Sequence, residues 1–143
     1  KYIIISSIAI AVSYINIYET TISYPILKSD DNDYYLWRGV DKEENIQGSL
    51  FMDYRSNQTF KDRNTVIYGH LMKRGDMFSP LKNFYDQDFV NSSPQTVELI
   101  YDGGILKWKR INLSYRGMRS INLLSIWSVV RMIYRMLVIF HPV

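Results

Sequence analysis

The sequence contains no cysteine. This absence excludes disulfides, thiolate metal sites and thiol nucleophiles within these residues. Histidine is scarce as well, with only His70 and His141 present. There is no glycine-rich phosphate loop, no metal-ligand cluster and no internal repeat. We therefore expect neither a cofactor nor a bound metal.

Acidic residues are missing from the last part of the chain. All 14 of them lie at or before Asp102, whereas residues 103–143 carry seven Lys or Arg and no acid. A basic segment of this kind favours nucleic acid or an anionic membrane as a partner. No recognised nucleic-acid-binding module accompanies the charge, so we expect no nucleic-acid partner.

The first residues form an apolar run, KYIIISSIAIAVSYI. The run is shorter than the ~20 residues that a membrane-spanning helix needs. One interpretation of residues 1–13 is the remnant of a membrane anchor or an uncleaved signal segment. The other is a buried strand or helix of the domain.

The rest of the chain predicts one mostly β domain. Its 143 residues suit a single domain, and its 15% aromatic content favours strands. Strands are predicted around Ser49–Met52 and Asn64–His70, with an edge strand at Pro25 and a hairpin turning at Asp102–Gly104. Ser79 and Pro80 predict a helix start, with the serine as N-cap and the proline at the first helical position.

His70 follows the apolar strand NTVIYG and is the first candidate for chemistry. A histidine at a strand end can act as a general base, although a single histidine is also common as a structural or exposed residue. Asp53 and Asp76 are candidates to orient polar groups near it, or else solvated loop acids. Met77 and Phe78, which follow, are predicted to be core residues.

Three segments resemble the class B sortases, the cysteine transpeptidases of Gram-positive bacteria. They are YINIYETTISYPILKSDDNDYYL at 14–36, GSLFMDYR at 48–55 and NTVIYGHLMKRGDMFSPLKNFYDQDF at 64–89. The resemblance covers about residues 14–109. It implies a sortase-like β-barrel with one or two short helices after the His70 strand. The barrel is expected to be incomplete, because the chain beyond His70 is shorter than in the family.

The resemblance also implies a function and a place in the cell. Such enzymes are tethered through the N-terminus to the outer face of the cell membrane. They cleave a sorting motif of a secreted protein and join it to an amine of a cell-wall peptide. The family uses a cysteine nucleophile, a histidine and an arginine. His70 matches the histidine, and LLSIW followed by RMLVIF places Trp127 at the nucleophile and Arg135 at the arginine.

Tryptophan is not a nucleophile, so we expect this chain to lack transpeptidase activity. The alternatives are a module that binds the sorting signal without cutting it, and a module that binds a membrane surface through its basic, apolar tail. Two origins are open for residues 110–143. One is a diverged remnant of the family's C-terminal half, and the other is a change of reading frame near Lys109.

Overall fold

The structure is a computed structural model that describes residues 11–62, 64–92, 96–109, 112–115, 120–124 and 135–142, with side chains for 11–62, 65–92 and 96–107. Nine strands lie in these residues. They are β1 (Ala11–Ile17), β2 (Ser23–Leu27), β3 (Leu50–Met52), β4 (Asn64–Leu71), β5 (Thr96–Tyr101), β6 (Gly104–Lys109), β7 (Asn112–Tyr115), β8 (Ser120–Leu124) and β9 (Arg135–Pro142).

The strands form one open sheet in the order β6-β5-β1-β2-β3-β4-β9-β8-β7. β1 runs antiparallel to β2 and β5, and β5 and β6 form the predicted hairpin. β4 is antiparallel to β3 on one side and parallel to β9 on the other. The predicted mostly β fold is therefore confirmed, as an open sheet in the described part of the chain.

The core lies where apolar side chains recur along the strands. In β1, Ser13, Ile15 and Ile17 are buried at every second position, as expected when one face of a strand is covered. In β5, the run from Val97 to Ile100 is continuously buried. The side chains that are essentially inaccessible to solvent are those of Phe51, Phe78, Ile15, Ile17, Ile22, Ile26, Leu27, Leu50, Met52, Ile67, Leu81 and Leu99.

The prediction of an edge strand at Pro25 is wrong, because β2 lies inside the sheet between β1 and β3. The proline is tolerated there for a local reason. β3 is short and pairs with β2 only at Ile26 and Leu27. Pro25 precedes that pairing, so its missing N–H removes no bond to β3.

The helix predicted at Ser79 is present but of a different kind. Ser79–Tyr85 forms a 3-10 helix, followed by the α-helix α1 (Gln87–Ser92). Ser79 is not the N-cap, since Phe78 takes that position and the serine hydroxyl donates to the Met72 carbonyl 2.7 Å away. The expectation of one or two short helices after the His70 strand is confirmed. Met77 and Phe78 are buried as predicted.

Two sequence interpretations fall largely outside the described residues. Of the predicted anchor at 1–13, only residues 11–13 are described, and they begin β1. Residues 110–143 contribute the backbone of β7, β8 and β9. No helix in the described ranges has the length and apolar character needed to cross a membrane.

Candidate functional site

His70 lies near the end of β4 and is almost completely buried, with 1% of its surface exposed. Its Nε2 atom is 2.7 Å from the carbonyl oxygen of Leu36. Leu36 ends a short 3-10 helix, Tyr34–Leu36, in the loop between β2 and β3. The next residue is Trp37, which is 47% exposed. The centroids of its ring and of the His70 imidazole are 5.2 Å apart, and the two ring planes meet at 45°.

The contact with Leu36 fixes which ring nitrogen carries a proton. A carbonyl oxygen only accepts hydrogen bonds, so Nε2 must be the donor. In the neutral imidazole the unprotonated nitrogen is then Nδ1. His70 is thus held in one tautomer by backbone geometry.

The glycine before His70 is required by packing. A Cβ atom at Gly69 would lie 2.4 Å from Leu50 Cδ2 and 2.5 Å from Phe78 Cδ2, far inside normal contact distance. Because neighbouring residues of a strand face opposite sides, Gly69 faces these core side chains while Tyr68 and His70 share the other face. The Tyr-Gly-His motif therefore joins the core to the site.

On the His70 face, Tyr68 belongs to a polar cluster around the buried Asp53. The Asp53 carboxylate is 2% exposed and accepts hydrogen bonds from Tyr68 Oη at 2.9 Å and Asn32 Nδ2 at 3.0 Å. The Arg55 guanidinium donates to both carboxylate oxygens at 2.9 Å, and the Arg55 backbone N–H donates at the same distance. The prediction that Asp53 is a solvated loop acid is wrong.

The cluster shifts the titration of its members. Hydrogen bonds from the Arg55 side chain hold the pKa of Asp53 far below its usual range, and the Arg55 N–H, Tyr68 and Asn32 act in the same direction against the effect of burial. Burial, with the hydrogen bond to Asp53, raises the pKa of Tyr68 to about 12. At neutral pH Asp53 is an anion and Tyr68 is a neutral donor.

Asn32 connects this cluster to the loop that contacts His70. Its Nδ2 donates to Asp53, and its Oδ1 accepts the backbone N–H of Tyr54 at 3.0 Å. The chain then continues through the 3-10 helix to Leu36. Sequence reasoning missed both Asn32 and Leu36. Asn32 lies in the polar stretch SDDND, which indicates only a turn, and the role of Leu36 is carried by its backbone.

Asp76 has a separate environment. Its carboxylate accepts from Gln47 Nε2 at 2.9 Å and from Arg74 at 3.3 Å, and its side chain is 34% exposed. It belongs to the loop after β4, where its hydrogen-bond partners are Gln47 and Arg74. Within the described residues no group of three or more His, Asp or Glu side chains is placed to hold a metal ion.

Of the other two predicted site residues, only the backbone of Arg135 is described. Trp127 lies outside the described residues. Arg135 begins β9 opposite Asn64, six residues before His70 along β4, and the residue level with His70 is His141. At ~3.3 Å per residue, the Arg135 and His70 backbones are about 20 Å apart along the sheet. The role assigned to Arg135 stays a prediction.

The described geometry provides a group that can transfer protons. A buried imidazole can act as a general acid or base through its ring nitrogens. The half-exposed Trp37 ring offers an apolar surface at the same place. The chain supplies no thiol to act as nucleophile.

Comparison with known proteins finds relatives that resemble this chain over part of their length. The chain is 43% identical over 98 residues to sortase B of Listeria monocytogenes, an alignment that covers 68% of this chain and 39% of that protein. The chain thus spans about two fifths of that relative's length. No protein-family model matches the chain.

Two solved structures share its fold. Sortase B from Listeria monocytogenes superposes with a TM-score of 0.66 at 37% identity, covering 76% of this chain and 62% of that one. Sortase B of Clostridium perfringens gives a TM-score of 0.71 at 29% identity, covering 80% of this chain and 62% of that one.

Proposed function

This chain is a homologue of the class B sortases over part of their length, and on that basis we propose that it holds the histidine half of a transpeptidation site without the nucleophile. The observation that supports the proposal is His70, buried at the end of β4 with Nε2 donating to Leu36. The sequence contains no cysteine to pair with it.

Acyl transfer of this kind requires a nucleophile, a group that moves protons and a group that stabilises the developing oxyanion. His70 is suited to the second task, in which it would take a proton from a thiol or an incoming amine and return it to a leaving group. The substrates of the reaction are a sorting motif of a secreted protein and an amine of a cell-wall peptide. Without a thiol, no acyl-enzyme forms in this chain.

The test is a transpeptidation assay on the purified chain. A fluorogenic sorting-motif peptide is incubated with an excess of an amine acceptor, and the products are separated by mass spectrometry. We expect no cleavage and no adduct, while an intact sortase B under the same conditions yields both. Steady turnover by this chain, abolished by His70→Gln, would overturn the proposal.

A second candidate function is binding of the sorting peptide without cleavage. The observation in its favour is Trp37, whose ring is 47% exposed and packs beside His70. Such an aromatic surface suits an extended apolar peptide. Calorimetric titration should then give heat that Trp37→Ala removes, with Tyr85→Ala as a control because Tyr85 is also half-exposed. A folded chain that gives no heat excludes this function.

The cellular placement belongs to the same proposal. By its relation to sortases, we expect the chain to work at the outer face of the cell membrane, held there through its N-terminal side. Fractionation of cells that produce the protein, followed by protease treatment of intact protoplasts, tests this placement. Protection from protease in intact protoplasts would contradict it.

The origin of residues 110–143 is decided at the level of the gene. Translating the encoding DNA in all forward frames from the codon of Tyr101 tests whether another frame continues the β6 sequence ILKWK. A continuation that contains Thr-Cys and a following arginine means that the intact gene encodes an active enzyme. Without such a frame, the form with Trp127 is the native protein.

A further inference from the structure

One hydrogen-bond partner of the His70 imidazole is a backbone carbonyl. Its Nε2–H donates to Leu36 O, an atom at the end of a three-residue 3-10 helix. A helix this short has little stability of its own, since most of its backbone groups find no partner within it. Some other part of the fold must hold that carbonyl in place.

Gly48 lies directly against this carbonyl. It is buried and adopts a φ of +56°. A Cβ atom at this position would be 2.3 Å from Leu36 O and 2.7 Å from Tyr35 O. Both the backbone conformation and the close approach therefore require glycine.

The residue after Gly48 completes the contact. The backbone N–H of Ser49 donates to Tyr35 O at 3.0 Å, and its hydroxyl donates to Arg38 O at 2.8 Å. The two acceptors, Tyr35 and Arg38, lie before and after Leu36 in the sequence. Residues 48 and 49 thus form a backbone support for the segment from Tyr35 to Arg38.

We propose that Gly48 is a positioning residue of the His70 site, which holds the Leu36 carbonyl at Nε2 of His70 and so sets the tautomer of the imidazole. The proposal rests on the proposed function of His70, and it assigns a role in that site to a residue that touches neither His70 nor substrate. It predicts that a side chain at residue 48 disturbs the imidazole through Leu36.

The size of the disturbance follows from the distances. An ordinary contact begins at 3.4 Å, so a methyl group at residue 48 requires a separation from Leu36 O about 1 Å larger than the 2.3 Å available. If the oxygen moves away from Nε2 by a comparable amount, the 2.7 Å bond lengthens beyond the ~3.2 Å limit of an N–H···O hydrogen bond.

The test compares Gly48→Ala with Gly75→Ala. Gly75 also has a positive φ, +90°, but a Cβ atom there meets nothing within 4 Å. Both variants place alanine in a disfavoured backbone conformation, and only the first contacts Leu36 O. The readout is the nitrogen-15 spectrum of the His70 ring, assigned with the help of His141→Gln.

In the wild type and in Gly75→Ala we expect one tautomer, with the proton on Nε2 and slow exchange of that proton with water. In Gly48→Ala we expect loss of the slowly exchanging proton and a mixture of tautomers. A folded Gly48→Ala protein that keeps the wild-type His70 spectrum would refute the proposal.

Ser49→Ala covers the case in which Gly48→Ala does not fold. It removes the bond to Arg38 O without introducing a clash, and we expect exchange of the Nε2 proton to become about fivefold faster, the effect of one net hydrogen bond. An unchanged exchange rate would overturn the proposal. Neither spectrum requires substrate, so failure of this proposal is distinct from failure of the proposed function.

Discussion

Replacing Asp53 by asparagine should destabilise the fold, because the Asp53 carboxylate accepts five hydrogen bonds and donates none. Asparagine keeps the shape but turns one acceptor atom into a donor. If its NH₂ group lies at the Oδ2 position, it meets the donors of Asn32 and Tyr68. If it is flipped, it meets the backbone N–H of Arg55. In either orientation a donor inside the protein loses its acceptor.

The expected cost is about 2–4 kcal/mol at pH 7. A buried or half-buried donor left without an acceptor costs about 1–3 kcal/mol, and replacement of a charge-assisted bond by a neutral one adds about 1 kcal/mol. The Arg55 side chain is 69% exposed and returns to water, so its bonds are left out of this sum.

The pH dependence gives an independent check. The folded-state pKa of Asp53 is depressed, so its contribution to stability is present above the unfolded-state pKa and is lost as the pH falls through and below that value. The unfolded value is about 3.9. The stability difference between wild type and Asp53→Asn should therefore shrink below about pH 4, by ~1.4 kcal/mol per pH unit.

Urea unfolding followed by tryptophan fluorescence, at pH 7 and at pH 3, measures both quantities. Asp30→Asn is the control, because Asp30 is exposed and its replacement should change stability by less than ~0.5 kcal/mol. A loss below 1 kcal/mol at pH 7, or an equal loss at both pH values, would refute the assigned role of the Asp53 cluster.

Two further predictions concern the strand of His70. Gly69→Ala should cost about 2–3 kcal/mol in thermal unfolding, because the added methyl group overlaps Leu50 and Phe78; a stability equal to the wild type would contradict the packing described for β4. In an ultraviolet titration, Tyr68→Phe should remove a tyrosine that ionises near pH 12. Because the folded-state pKa of Tyr68 is raised, its contribution to stability is lost only as the pH rises above the unfolded-state pKa of ~10. In Asp53→Asn the same tyrosine should titrate closer to pH 10, since the neighbouring anion is gone; an unchanged titration would count against the hydrogen bond.

The local patterns of the sequence were sufficient for much of the fold. The strand predicted at Asn64–His70 is confirmed and extends to Leu71, and the hairpin predicted to turn at Asp102–Gly104 is confirmed as β5 and β6. A β-branched apolar run and a glycine turn are local signals. Pro25 was assigned to an edge strand from the same kind of rule. The error arose because the length of β3, which decides whether Pro25 needs a partner, is set elsewhere in the chain.

The site was less accessible to sequence reasoning, for a physical reason. His70 could be selected from its motif, but its partner is a main-chain oxygen that any residue at position 36 would supply. Asp53 was expected in solvent because a carboxylate after a short strand usually is. The side chains that make its burial possible, Asn32 and Tyr68, are distant in sequence and give no local signal.

The roles assigned to Trp127 and Arg135 rest on their spacing and stay predictions. The eight-residue separation of Trp127 and Arg135 is a distance along the sequence. It does not determine which strands pair with each other. In the structure the strand that begins at Arg135 runs parallel to β4, with His141 level with His70 and Pro142 level with Leu71. The register of a sheet is decided by contacts between strands. The spacing of residues within one segment gives no information about those contacts.

The Tyr-Gly-His motif shows why likeness in sequence and retention of activity are separate questions in this chain. Tyr68 donates to Asp53 and Gly69 admits Leu50 and Phe78, so both residues are needed for the fold whether or not catalysis occurs. Even His70 satisfies a buried carbonyl that an apolar side chain would leave without a donor. The motif would therefore be maintained by stability alone, and a thiol beside His70, rather than the motif, decides whether a homologue with this architecture is an active transpeptidase.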